Sequence, residues 1–361
     1  MTHTTARQPY SSEPVNLGAD ATQLRAALIT PVPNFFVRSH APAPIIAADA
    51  YRLHVDGLVD QPCTLTLEEL QQGFPVHTVT ATLQCAGLRR RELTALEPID
   101  AAEIVWDTDA ISTARWTGVR LSDILRRAGV QPAAAHVGFL GLDQVTKTQD
   151  GLGGSIPLAK ALEDDVLLAY GMNDAPLLPI HGYPLRALVP GYIGARSVKW
   201  VGRITLQVAP STNHFQARAY KLFPSSVRAE TANWDEGEML GALPINSFIT
   251  SPQAGVLPTN ETWRGSVLVQ GIALAGGDAV IERVELSNDS GQTWTAATLT
   301  SPPQQWMWCF WEATCSLSPG SHELVVRTFD TAGHTQPMHL ADVWNFKGYV
   351  NNAYHRVRIS V

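Results

Sequence analysis

Cysteine is scarce: Cys63, Cys85, Cys309 and Cys315 are the only four in 361 residues, and no two stand at a zinc-ligand spacing. Neither a disulfide framework nor a structural zinc is indicated. Charge is scarce too, at 16% of residues with a net charge of −7, which argues against a general nucleic-acid or membrane-surface binder. No apolar run is long enough to span a membrane. No glycine-rich dinucleotide fingerprint or phosphate loop follows a strand, so NAD and ATP chemistry is not expected. The first thirty residues lack an apolar signal core, a twin arginine and a small-residue cleavage site. A cytoplasmic location is expected, or a periplasmic one if a leader has been removed.

What is present points to about two domains with ordinary cores, given 45% hydrophobic residues. Residues 1–29 read as a polar arm, and Thr30-Pro31-Val32-Pro33 opens the first domain. Tyr51, Leu53 and Val55 alternate as a strand, and Thr66 with Glu69 forms a capping box for a helix closed by Gly73. Ser122 is the expected cap of a helix Asp123 to Ala128, stopped by Gly129. Val137–Leu142 reads as a buried strand and Pro157–Leu162 as a short helix. This first domain, 30–236 with an inter-domain segment 209–236, is expected to be mixed α+β.

The texture changes from 237 to 361. Short strands are expected over 266–273, 279–287, 294–299, 306–314 and 322–329, with a hairpin turn at Asn288-Asp289-Ser290-Gly291. That series predicts an immunoglobulin-like β-sandwich. In Trp306-Met307-Trp308-Cys309-Phe310-Trp311 both faces are large and apolar, so one face needs the sandwich core and the other a partner domain or subunit.

The chemistry gathers in Thr78-Val79-Thr80-Ala81-Thr82-Leu83-Gln84-Cys85-Ala86-Gly87-Leu88-Arg89-Arg90-Arg91. A β-branched run delivers one cysteine to a strand end beside three arginines. Guanidinium groups favour a thiolate, a soft metal ligand, and their planar forks suit a small oxyanion. These residues alone allow either a metal ligand beside an anion site or a buried structural cysteine with solvated arginines.

Five collinear motifs bear on that choice. They are Phe35-Phe36-Val37-Arg38-Ser39-His40, then Leu83-Gln84-Cys85-Ala86-Gly87, then Trp106 leading to Ile111-Ser112-Thr113-Ala114-Arg115-Trp116. His181-Gly182-Tyr183-Pro184-Leu185-Arg186 runs on to Ser197-Val198-Lys199-Trp200, and Val343-Trp344-Asn345 precedes Asn352-Ala353-Tyr354-His355-Arg356. Together they resemble the sulfite oxidase family of molybdenum-cofactor enzymes. The resemblance implies a molybdopterin-binding α+β domain followed by a dimerisation sandwich, hence a homodimer. It implies molybdenum-molybdopterin without haem or flavin, and no nucleic-acid or membrane partner.

Residue by residue, the resemblance makes Cys85 the protein ligand to molybdenum. It places Arg38 and Arg90 on the substrate anion, Trp106 in the pocket wall and Tyr220 beside the metal's oxo group. Phe36, Val37, Arg38, Ser39, His40, Asp143, His181, Arg186, Ser197, Val198 and Lys199 fall at positions that hold the pterin and its phosphate. His355 and Arg356 read as structural. Three departures stand out: Leu88 where the family often has Asn, Ser39 for Asn, and Lys347 for a third arginine. Lysine keeps a positive charge but loses the bidentate fork, favouring sulfite over nitrate with weaker binding expected. The implied activity is oxidation of sulfite, or a similar small oxyanion, with electrons passed to a cytochrome, quinone or oxygen. Nitrate or sulfoxide reduction in the same fold, and a non-catalytic scaffold, are the alternatives.

Overall fold

The computed structural model describes residues 7–21, 23–146, 148, 150–256 and 265–361. Residues 1–6 of the N-terminal arm lie outside the described residues. Two five-stranded sheets build the first half of the chain. One runs in the order Ala175–Pro176, Leu167–Met172, Ile111–Arg120, His77–Gln84, with Arg186–Leu188 also pairing to Leu167–Met172. The β-branched alternation of 77–84 pairs residue for residue with 111–118, from His77 opposite Gly118 to Gln84 opposite Ile111. That register sets Cys85 immediately beyond the strand end.

The other sheet runs Cys63–Leu65, Leu53–Gly57, Val201–Gln207, His136–Gly141, Gly153–Pro157. Its strand 201–207 pairs in parallel with 53–57 and antiparallel with 136–141. The capping box at Thr66 and Glu69 forms as expected, and the helix ends at Gly73. Ser122 does not cap its helix: the helix begins at Leu121 after Arg120, and Ser122 is buried inside the first turn with its hydroxyl unpartnered. The short helix after Pro157 spans only Leu158–Ala161, because Gly153–Pro157 is a strand.

The second half is a two-sheet sandwich. Asn246–Ser251, Ser266–Leu274, Cys309–Ser316 and Thr298–Leu299 form one sheet. Gly255–Val256, His355–Ser360, Ser321–Asp330, Ile281–Ser287 and Thr295–Ala296 form the other. Val269, Val284, Trp311, Leu324 and Val326 fill the space between them. The segment expected as one strand over 294–299 is two: 295–296 pairs in one sheet and 298–299 in the other, so the chain crosses between sheets there. The 288–291 turn forms, with Ser290 at φ 64° and Gly291 at φ 96°, and Asp289 accepts from the backbone of Gln292 and Thr293.

The aromatic run of 306–311 finds both its partners within one chain. Trp311 lies in the sandwich core, while Trp308 and Phe310 pack with Leu83, Phe35 and Ile111 of the first half. Trp308 donates its backbone N–H to Thr82 Oγ1 at 2.9 Å and its indole N–H to the Leu28 carbonyl at 2.9 Å. This face therefore locks the sandwich to the strand that carries Cys85.

Candidate active site

The strand 77–84, the segment 35–40 that follows the Pro-rich entry and the turns around 181 and 197 converge on one cleft. Phe36, Val37, Arg38, Ser39, His40, Cys85, Asp143, His181, Arg186, Ser197, Val198, Lys199 and Tyr220 all line it. Cys85 and Asp143 follow strand ends and Arg186 opens a strand, while 36–40, His181, 197–199 and Tyr220 come from loops and from short 3-10 or π-helical turns. The N-terminal arm buttresses it: Pro9–Ser12 and Val15–Leu17 form a hairpin, Leu17 pairs with Val37, and Asn16 Oδ1 accepts from the Ser39 backbone at 2.8 Å. This support was not read from the polar composition of the arm.

Cationic groups crowd one end of the cleft. Lys199 donates to Ser39 Oγ at 2.6 Å and to the Ile180 carbonyl at 3.1 Å. Arg186 donates to the carbonyls of His181 and Ser197 at 2.9 and 3.0 Å. Burial pulls the Lys199 ammonium far down, Arg186 adds to that, and Asp143 opposes it. Burial also lowers Arg186. His181 is pushed down to about 3 by burial, with Lys199 and Arg186 adding to the shift. Gly182 sits at φ 110°, and a Cβ there would press at 3.1 Å on both Arg186 and Lys199. The buried Arg186 and half-buried Lys199, with Asp143 the only carboxylate among the cleft-lining residues, form a site that an anion would complete.

The other end holds the thiol. Cys85 Sγ accepts from the Gly87 N–H at 3.4 Å. Burial raises the thiol above its ordinary value, and the pull of Arg90 and Arg38 does not overcome it. The arginines alone thus do not make a thiolate, and metal coordination is what would deprotonate it. A soft sulfur donor at one end and the Lys199–Arg186 pair at the other suit a metal–pterin phosphate in their chemistry. Cys85 would hold the metal, and Lys199 and Arg186 the phosphate.

Arg38, His40 and Tyr220 form a chain between them. Arg38 Nη2 lies 3.2 Å from His40 Nδ1, and His40 Nε2 lies 2.9 Å from the Tyr220 hydroxyl. Burial, reinforced by Arg38 and Lys199, pushes the imidazole far down, so His40 is neutral. A guanidinium can only donate, hence Nδ1 accepts and the ring proton sits on Nε2. Tyr220 therefore accepts from His40 and keeps its own proton to donate. Its phenol is raised to about 12, mainly by burial.

The three consecutive arginines part company. Arg89, at φ 61°, pairs with Glu92 and reaches Asn246 of the sandwich at 2.8 Å. Arg91 pairs with Asp107 at the surface. Only Arg90 turns toward the site, packed over the Tyr349 ring at 5.0 Å and against Gly348, which at φ 61° leaves room for it. Arg90, Trp106 and Lys347 do not line the cleft itself. Trp106 is fully buried against Tyr10, ring centroids 4.3 Å apart, with its indole nitrogen unpartnered.

Lys347, expected with Arg38 and Arg90 in a cationic substrate pocket, is ion-paired. Its ammonium pairs with Asp100 at 3.0 Å and with Glu103. Glu103 also pairs with Arg90 at 3.2 Å and accepts from the Tyr349 hydroxyl at 3.2 Å. Tyr349 in turn stacks on Tyr220 with centroids 5.4 Å apart. Sequence reading missed Glu103, Asp100 and Tyr349. The acid three residues before Trp106 was the available signal.

The family pattern "Oxidoreductase molybdopterin binding domain" matches residues 40–215, and "Mo-co oxidoreductase dimerisation domain" matches 238–361. The chain is 35% identical over 374 residues to sulfite oxidase of Arabidopsis thaliana, covering 98% of this chain and 92% of that protein. The chain belongs to the sulfite oxidase family. It is 42% identical over 367 residues to mitochondrial sulfite oxidase of Homo sapiens, across 99% of this chain and 65% of that protein. It thus spans just under two thirds of the human relative. The solved sulfane dehydrogenase SoxCD from Paracoccus pantotrophus superposes with a TM-score of 0.82 at 26% identity, over 98% of this chain and 87% of that one. No helix among the described residues is long and apolar enough to cross a membrane.

Proposed function

We propose that this chain oxidises sulfite to sulfate and passes two electrons to a separate acceptor, a cytochrome, quinone or oxygen. The carrying observation is the placement of the Cys85 thiol in the same cleft as Arg38, Tyr220 and the Lys199–Arg186 cradle. In balance, sulfite and water give sulfate, two protons and two electrons. When bound, molybdenum on its pterin supplies the oxygen-atom transfer and holds the two electrons. This chain's residues supply position and charge.

Cys85 gives the metal its protein sulfur. Arg38 presents its fork to substrate oxygens while it fixes the His40 ring. Tyr220 donates its free proton toward the reacting oxygens, and Arg90 sets a second positive charge behind it. Tyr349, stacked on Tyr220, and the buried Trp106 keep that end of the site dry. The homodimer forms through the sandwich, on surfaces other than the Trp308 face, which the first domain already covers.

Molybdenum content per chain, paired with sulfite-dependent reduction of ferricyanide on the same sample, tests this reading. About one metal per chain with turnover is expected. Metal without sulfite turnover would keep the cofactor and refute the substrate.

A further inference from the structure

Behind the Cys85 end of the cleft, outside its lining, two carboxylates offset the cations there. Glu103, only 13% exposed, joins Arg90, Lys347 and the Tyr349 hydroxyl at one point. Asp100 adds a second carboxylate to Lys347. Arg38 has no carboxylate within ion-pair distance among the described residues, and its hydrogen bonds run to Asn16, the Ser39 carbonyl and neutral His40. At this end, apart from the Lys199–Arg186 cradle, the three cations Arg38, Arg90 and Lys347 against the two carboxylates Glu103 and Asp100 leave one unit of positive charge.

We propose that Glu103 is a specificity-determining residue that tunes this pocket to a singly charged sulfur oxyanion, hydrogensulfite, over the dianions sulfite and sulfate. The inference rests on the sulfite-oxidising reading. Coulomb energy scales with the product of the charges, so a pocket of net charge one gains less from a dianion than one of charge three, while a dianion costs more to strip of water. Hydrogensulfite and water then yield sulfate, three protons and two electrons, the electrons going to the same external acceptor. The sulfate product carries two charges and is held weakly, which favours its release. Glu103 acts through Arg90 and Lys347 and is a positioning residue rather than a catalytic one.

The test titrates inorganic sulfate into the holoenzyme by calorimetry at fixed ionic strength and measures the KM for sulfite above and below the pKa of hydrogensulfite. Glu103→Gln keeps a hydrogen-bond acceptor for Lys347 and Tyr349 but removes the charge. It is expected to tighten sulfate about tenfold and to lower KM most on the alkaline side, where the dianion dominates. Asp100→Asn, at the more exposed carboxylate, is expected to act in the same direction by less, and decides the matter if Glu103→Gln does not fold. A residue that merely scaffolds Arg90 would loosen binding when changed. Unchanged or weaker sulfate affinity in these variants, at native molybdenum content, overturns the proposal. A holoenzyme that fails to oxidise sulfite overturns the functional reading, and the sulfate titration then decides the charge inference alone.

Discussion

The Nε2 of His40 lies 2.9 Å from the hydroxyl of Tyr220, two residues separated by 180 positions in the chain. Because Arg38 occupies the other ring nitrogen as a donor, this bond has one polarity: His40 gives and Tyr220 receives. His40→Phe removes the donor and frees the phenol to rotate. The expected result is a fall in kcat of roughly ten- to a hundredfold at native pterin content, with partial rescue by His40→Gln. Steady-state kinetics on cofactor-quantified protein checks it, and an unchanged kcat in His40→Phe removes His40 from this role.

Cys85→Ser replaces a soft sulfur with a hard hydroxyl that a buried site does not ionise. Molybdenum per chain and sulfite turnover should both collapse while the fold, read by circular dichroism, persists. Full activity in a metal-replete Cys85→Ser protein would sink the ligand assignment.

Lys199→Met leaves Arg186 as the one cation between the His181 and Ser197 carbonyls. Retention of the pterin, measured by fluorescence after oxidative release, should drop roughly tenfold. Ser39, the Ile180 carbonyl and the Trp200 ring hold Lys199 against its desolvation and the repulsion of Arg186, so the thermal stability of the cofactor-free protein should stay level or rise. A variant that keeps its pterin would move the phosphate elsewhere.

His355 links stability to pH. Burial pushes its folded pKa down from 6.5 to about 4, against the pull of Glu92, whose carboxylate lies 3.7 Å away and is already engaged by Arg89. Its Nδ1 accepts the Ile249 N–H at 3.1 Å, as a neutral ring must. The folded state therefore disfavours the protonated form. This contribution is complete above pH 6.5, declines as pH falls to about 4, and is gone below that. It is worth on the order of 3 kcal/mol at neutral pH. Chemical denaturation across that range should show the step, and His355→Gln should flatten it.

Trp308→Ala opens a void where the sandwich meets the strand of Cys85, and also deletes the bond to Leu28. A loss of about 3–5 kcal/mol is expected, with the cofactor domain and sandwich melting in separate transitions. A single unshifted transition would show that the two halves hold together without this contact.

Local patterning in the sequence was enough to fix the strand 77–84, the helix capped by Thr66, the hairpin turn at 288–291 and the alternation of the sandwich strands. Each depends on neighbours a few residues apart, where propensity and period act directly. The motifs around Arg38, Cys85, His181 and Lys199 also marked most of the cleft, because each places a particular residue type in a loop, turn or strand end that faces it. Only the tertiary structure decided how the charges pair. Residue type and spacing alone do not separate Arg89, Arg90 and Arg91, yet the backbone turn at Arg89 sends one to the sandwich, one to Glu103 and one to Asp107 at the surface. Likewise Lys347 reads only as a positive charge until the chain brings Asp100 and Glu103 to it from nearly 250 residues away. Coulomb energies depend on distance in space, and chain order does not record that distance.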